Sequence, residues 1–256
     1  MSSLKNKLKK GQPIIGTMLV LMDNPDIVKL LKVCEFDYFI VDCEHSTYDF
    51  KDVAGLLGMA KAIGLPGIVR IPEAKREVVL KYIEAGAAGF LLPNTETEEQ
   101  AKALVEYSKY APMGNRGISL FRPHAGYNKI ANTLEYMEKA NNETILMVQI
   151  ESGKGVDNVE NILAIEGIDV AFIGPNDLSQ SLGIMGQYDN PLFINSVEKV
   201  IRVAKGKGKH AGIHLMDVEP LQKWIGKGMT FNLVFNELIM MTNYAKENLK
   251  KLKKEY

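Results

Sequence analysis

The sequence predicts an α/β fold, a closed (β/α)8 barrel in one domain spanning residues 1–256. Three observations lead there: eight short apolar runs alternate with longer helical patterns, several runs are apolar on both faces, and the length suits such a barrel. The runs cover residues 14–20, 36–41, 67–71, 89–92, 144–150, 169–173, 210–214 and 229–234. Tyr38-Phe39-Ile40-Val41 and Ile145-Leu146-Met147-Val148 are continuous, as strands buried on both sides require. Between the runs, helix starts are readable. Asn24 before Pro25, Thr97 before Glu98-Glu99-Gln100, and Asp217 before Glu219-Pro220 each pair a capping side chain with a first-turn acid or proline. An open doubly wound sheet would usually carry a glycine fingerprint after its first strand. Here Leu21-Met22-Asp23-Asn24-Pro25 follows instead, and no Walker sequence occurs. The irregular part is 110–143, too long for a plain connector, with a short helix expected over 131–140.

Composition narrows the function. Hydrophobic residues make 46% and charged residues 24%, ordinary for a globular chain with a large core. Lys plus Arg and Asp plus Glu are equal at 31, so no net field recruits nucleic acid or an anionic membrane. The basic runs at 5–10 and 250–254 are expected to be solvated terminal faces. Cys34 and Cys43 form no CxxC, which predicts a reducing, cytoplasmic setting and argues against structural zinc. Lys9-Lys10 before residues 13–22 loosely mimics a secretion signal, but Gly16-Thr17 interrupt the run and Asp23-Asn24-Pro25 stands where a cleavage site belongs. No run approaches the roughly 18 apolar residues of a membrane span.

Barrel enzymes act from the C-terminal ends of their strands. Polar residues collect there: Asp42-Cys43-Glu44-His45 after the second strand, Arg70 at the third, Gln149 and Glu151 at the fifth, Gly174-Pro175-Asn176-Asp177 after the sixth, and His214 at the seventh. Glu151 and Asp177 end neighbouring strands and should converge. Two close carboxylates call for a shared proton or cation, and Mg²⁺ or Mn²⁺ suits such a site. Asp177 also reads as a helix cap. His45 beside carboxylates has the makings of a general base, or of a capping histidine. Arg70 in an otherwise apolar strand needs an acid or an anionic substrate. Gly174-Pro175-Asn176-Asp177 can offer backbone N–H groups to a substrate carboxylate, the donors being the residues after the proline. Gln149 faces the same way as Glu151, two residues on. His210, at the start of its strand, is expected to be structural.

At these residues the chain resembles the HpcH/HpaI aldolases, metal-dependent pyruvate aldolases. Phe36-Asp37-Tyr38-Phe39-Ile40-Val41-Asp42-Cys43-Glu44-His45 is similar to the family's second-strand signature, and Gln149-Ile150-Glu151 with Ile168 to Ser179 to its metal-site region. Pro66 to Arg70 and Ala111-Pro112-Met113-Gly114-Asn115-Arg116-Gly117 are similar to its intervening motifs. The likeness runs from about Gly11 to beyond Ile225. It implies a barrel of the phosphoenolpyruvate/pyruvate-binding type, with Glu151 and Asp177 on the metal. Arg70 would bind pyruvate and steady its enolate, and His45 would move protons with an acidic partner at Glu84. Asp42 belongs to the same catalytic set. Many members carry aspartate in place of Glu84, and Phe231-Asn232-Leu233-Val234 replaces a more usual Val-Asp-type sequence. The resemblance also implies a hexamer with exchanged C-terminal helices, here residues 237–254.

The expected reaction is reversible cleavage of a 4-hydroxy-2-oxo acid to pyruvate and an aldehyde. Arg122, on the long 110–143 segment, is a candidate for binding an acidic aldehyde, with a surface arginine packed on its own loop as the plain alternative. Three rivals stand beside this reading. A Schiff-base aldolase would need a desolvated lysine, for which Lys154 is the candidate. A related lyase acting on a coenzyme A ester, or an oxaloacetate decarboxylase, would use the same enolate. A catalytically silent barrel would have no reason to keep such a polar set together.

Overall fold

Residues that are apolar on both faces make the strands. In the computed structural model, which describes residues 4–253, they are β1 (Ile14–Leu19), β2 (Tyr38–Asp42), β3 (Gly67–Arg70), β4 (Gly89–Leu92), β5 (Ile145–Ile150), β6 (Val170–Ile173), β7 (His210–Leu215) and β8 (Phe231–Asn236). All pairings are parallel, and β8 returns to β1 to close the barrel in sequence order. The helices are α1 (Leu4–Lys9), α2 (Asp26–Val33), α3 (Phe50–Ile63), α4 (Arg76–Ala85), α5 (Glu98–Ser108), α6 (Thr133–Glu143), α7 (Gly153–Asp157), α8 (Val159–Ile162), α9 (Pro175–Ser181), α10 (Pro191–Gly206), α11 (Val218–Gly226) and α12 (Glu237–Lys253). The Thr97 cap is a full capping box with Gln100, and Asn24 Oδ1 accepts the Asp26 N–H at 2.9 Å.

Strand alternation divides the core in two. Leu19, Phe39, Val41, Val69, Phe90 and Val148 pack outward against the helices. Ile40, Ile68, Met147, Phe172 and Leu233 fill the barrel interior. Asp42, Arg70, Gln149 and Gly174 each lie two residues beyond an inward apolar side chain. The same alternation that builds the core therefore carries the polar groups into the barrel mouth.

The first basic run is not a solvated face. Leu4 and Leu8, one turn apart on α1, join the interior cluster at the N-terminal end of the barrel. Lys5 pairs with Asp169 at 2.8 Å, and Lys7 pairs with Asp37. The helix is a plug, held by its leucines and oriented by its lysines. At the other end of the chain Lys251 pairs with Glu247 on α12, and Lys254 lies outside the described residues.

Candidate active site

Arg70 is the fixed point of the barrel mouth. Asp42 accepts its Nε at 2.9 Å and its Nη2 at 2.6 Å, a two-pronged bond between two buried groups. Asp42 also accepts the backbone N–H groups of Glu44 at 3.0 Å and His45 at 3.3 Å. Burial alone would raise the Asp42 carboxyl, but the Arg70 hydrogen bond and charge, with those N–H groups, hold it below its ordinary range. Asp42 is thereby an anchor for Arg70. Glu44 completes the set: its Oε2 lies 3.3 Å from Arg70 Nη1 and 3.7 Å from His45 Nε2. The sequence sets Glu44 beside His45 but assigns it no role of its own, although its place between Asp42 and His45 was a usable signal. His45 itself is exposed and lines the mouth.

The carboxylates sit against the opposite side of the same space. Glu151 is buried; its Oε1 accepts the Asn94 N–H at 2.7 Å and its Oε2 accepts Gln149 Nε2 at 2.5 Å. Burial, and then the charges of Asp177 and Glu44, push its carboxyl up to about 7 despite these hydrogen bonds. Gly174 leaves the room: a Cβ there would come within 2.2 Å of Glu151 Oε2. Gln149 Oε1 is buried with no partner among the described residues. A crowded acid pair with an orphaned amide oxygen beside it is a donor set that fits a hard divalent cation. Among the described residues no three His, Cys, Asp or Glu side chains form a ligand cage. A cation here would take Glu151 and Asp177 and complete its shell with water or substrate oxygens. Asp177 is the third residue of α9, with Gly174 as the cap and Pro175 first, so it is not the helix cap. The N–H groups of Asn176 and Asp177 belong to the first turn and have no acceptor within the helix.

A cavity of about 630 Å³ opens at the C-terminal end of the barrel, lined by Asp42, His45, Arg70, Gln149, Asp177 and His214 among others, with Glu151 set behind Gln149 and Gly174 in its wall. It continues between α10 and α11, where Lys223, Trp224 and Lys227 line it. Lys154 is elsewhere, exposed and paired with Glu96 at 2.9 Å, which removes the lysine expected for a Schiff-base route. Glu237, at the start of α12, was also invisible to sequence reasoning. Its buried carboxylate gathers the N–H groups of Val20, Leu21 and Met22 at 2.7–3.1 Å, pinning the loop that leaves β1 at the mouth.

Two expected site residues lie far from this cavity within one chain. Glu84 lies in the last turn of α4, just before β4 begins, and so at the opposite end of the barrel from His45. It pairs with Arg122 across 3.8 Å. The 110–132 segment folds back over that end, with Arg116 stacked on the Tyr110 ring at 4.3 Å and Lys61 donating to the His124 carbonyl. The expected helix near 131–140 is α6.

Fold and site together define a (β/α)8-barrel protein with an arginine and a carboxylate pair facing one another at the catalytic end. The chain belongs to the HpcH/HpaI aldolase/citrate lyase family, whose model matches residues 17–237. It is 32% identical over 246 residues to a hydroxypyruvate/pyruvate aldolase of Deinococcus radiodurans, covering 96% of this chain and 87% of that protein. It is 32% identical over 237 residues to a 5-keto-4-deoxy-D-glucarate aldolase of Klebsiella pneumoniae, covering 93% and 91%. The crystal structure of an HpcH/HpaI aldolase from Desulfitobacterium hafniense superposes with a TM-score of 0.94 at 35% identity, covering 99% of this chain and 97% of that one. No helix among the described residues is long and apolar enough to cross a membrane.

Proposed function

We propose that this chain is a divalent-metal-dependent aldolase that reversibly cleaves a 4-hydroxy-2-oxo acid to pyruvate and an aldehyde through the enolate of pyruvate. The observation that carries this is the Arg70 fork, locked by Asp42, sharing one cavity with Asp177 and with Gln149, whose amide holds the Glu151 carboxylate at 2.5 Å. Glu151 and Asp177 would hold Mg²⁺, Mn²⁺ or Co²⁺, which when bound supplies Lewis acidity to the keto and carboxylate oxygens of the substrate. Arg70 places fixed positive charge where negative charge develops on the keto oxygen, and its anchor spares it any reorganisation during reaction. The first-turn N–H groups of Asn176 and Asp177 orient the substrate carboxylate. His45 takes the methyl proton, directly or through water, and returns it on cleavage. Gln149 steers Glu151 and offers its free oxygen to the same space.

The assembly we propose is a cytoplasmic homo-hexamer with exchanged C-terminal helices. α12 runs from Glu237 to Lys253, yet only Glu237 on it is buried, and Met241, Tyr244, Leu249 and Leu252 stand exposed. A neighbouring subunit would cover that face. It would also give Glu84 and Arg122 a mouth to reach, the one as partner to His45 and the other as receptor for an acidic aldehyde. The aldolase reading is tested by Arg70→Lys, which keeps the charge and removes the planar fork. A folded variant should lose most of its turnover, whereas near-normal turnover would make Arg70 structural.

A further inference from the structure

We infer that His214 selects substrates carrying a hydroxyl on the carbon next to the carbonyl, by accepting a hydrogen bond from that hydroxyl at Nδ1. The inference rests on the aldolase reading above and deepens it. His214 is at the end of β7, two residues beyond Gly212, and lines the cavity that holds Asp42, Arg70, Gln149 and Asp177. Its Nε2 lies 2.7 Å from the Phe235 carbonyl oxygen. A carbonyl oxygen can only accept, so Nε2 carries the proton and the neutral ring presents a lone pair at Nδ1. Among the described residues Nδ1 has no hydrogen-bond donor.

The ring's orientation is built in. Phe235 holds φ at 59°, a left-handed backbone that a bulky residue rarely adopts, at the junction where β8 gives way to α12. Asn236 fixes that junction by accepting the Ile239 N–H at 2.8 Å. The carbonyl that sets the tautomer is therefore not free to swing away. Burial, with help from the Arg70 charge, pushes the imidazole down to about 4, against the pull of the Phe235 carbonyl. The ring thus stays neutral across the physiological range, a poor base and a repellent neighbour for a carboxylate. A hydroxyl hydrogen is what its lone pair accepts. Phe172, Phe193, Met216 and Trp224 supply apolar wall to the same cavity, so a substrate hydroxyl has reason to use the acceptor that is there.

Hydroxypyruvate as the nucleophile and a 2-hydroxyaldehyde as the electrophile share this chemistry, and a grid of substrates separates them. The grid crosses pyruvate or hydroxypyruvate with propanal or glycolaldehyde, aldehydes of equal heavy-atom count. His214→Leu should lower kcat/KM for the hydroxylated partner about tenfold relative to its plain counterpart. The axis of the grid that drops identifies which substrate donates. His214→Asn, which can return an oxygen near the position of Nδ1, should recover part of the preference. An equal loss across all four pairs, with no recovery by asparagine, would overturn the inference. ¹⁵N-histidine NMR gives a readout free of turnover. The Nδ1 resonance absent from His214→Leu should move on adding hydroxypyruvate or glycolaldehyde and stay put with pyruvate or propanal; no movement with either hydroxylated compound overturns the inference. Absence of turnover on every pair would count against the aldolase reading, and the NMR titration would still decide His214.

Discussion

Glu151→Gln isolates the electrostatic cost of the acid pair. The Glu151 carboxyl, ordinarily near 4.5, is pushed up to about 7 by burial and by Asp177 and Glu44. At about 1.4 kcal/mol per tenfold change, this corresponds to about 3 kcal/mol. The sign follows from proton counting. Between pH 4.5 and about 7 the folded chain keeps a proton that the unfolded chain has released, so the metal-free fold loses stability as pH rises through that window. Glutamine carries no charge and escapes the loss. Its oxygen can still accept the Asn94 N–H, and its amide can donate to Gln149 once the Gln149 amide turns over to present Oε1 in place of Nε2. The assay is urea unfolding of metal-stripped protein at pH 5 and pH 8. Other groups titrate in both proteins, so the difference between them reads Glu151. The variant should gain about 3 kcal/mol over the parent between the two pH values, and Mn²⁺ at pH 8 should stabilise the parent far more than the variant. Parallel pH curves, or equal stabilisation by Mn²⁺, would refute the reasoning.

Glu237→Gln should destabilise the fold by about 1–3 kcal/mol, because a charged acceptor for three backbone N–H groups becomes a half-donor. Amide exchange at Val20 to Met22 should quicken in step, and unaltered protection there would show that the loop does not depend on the carboxylate. Arg122→Ala should raise KM for carboxylated aldehydes such as succinic semialdehyde and affect neutral aldehydes little. Equal losses for both kinds would confine Arg122 to its contact with Glu84.

The barrel was legible because parallel strands buried on both faces leave unbroken apolar runs such as Tyr38 to Val41, which surface noise cannot blur. Much of the candidate site was legible for a related reason. Asp42, Arg70 and Glu151 end those runs, where an ionisable group is costly unless it is used. What stayed hidden depends on contacts between distant segments. An acid opening a helix, as Glu237 does, ordinarily complements the helix dipole, and nothing local reveals that it gathers the loop after β1. Asn94 serves through its backbone N–H, which any residue could offer. In α1 the lysines masked the spacing of Leu4 and Leu8, the signal that would have identified a plug. Glu84 and Arg122 carry suitable chemistry, but their place at the far end of the barrel is set by how the 110–132 segment folds back, which local pattern does not encode.

The most direct measurement of the central claim is loss of the pyruvate methyl signal in deuterated water, followed by proton NMR with no aldehyde present. Exchange should proceed with the protein and Mg²⁺, stop when the metal is chelated, and resume when Mg²⁺ is restored. Exchange that continues at full rate after chelation would contradict a metal-dependent enolate mechanism.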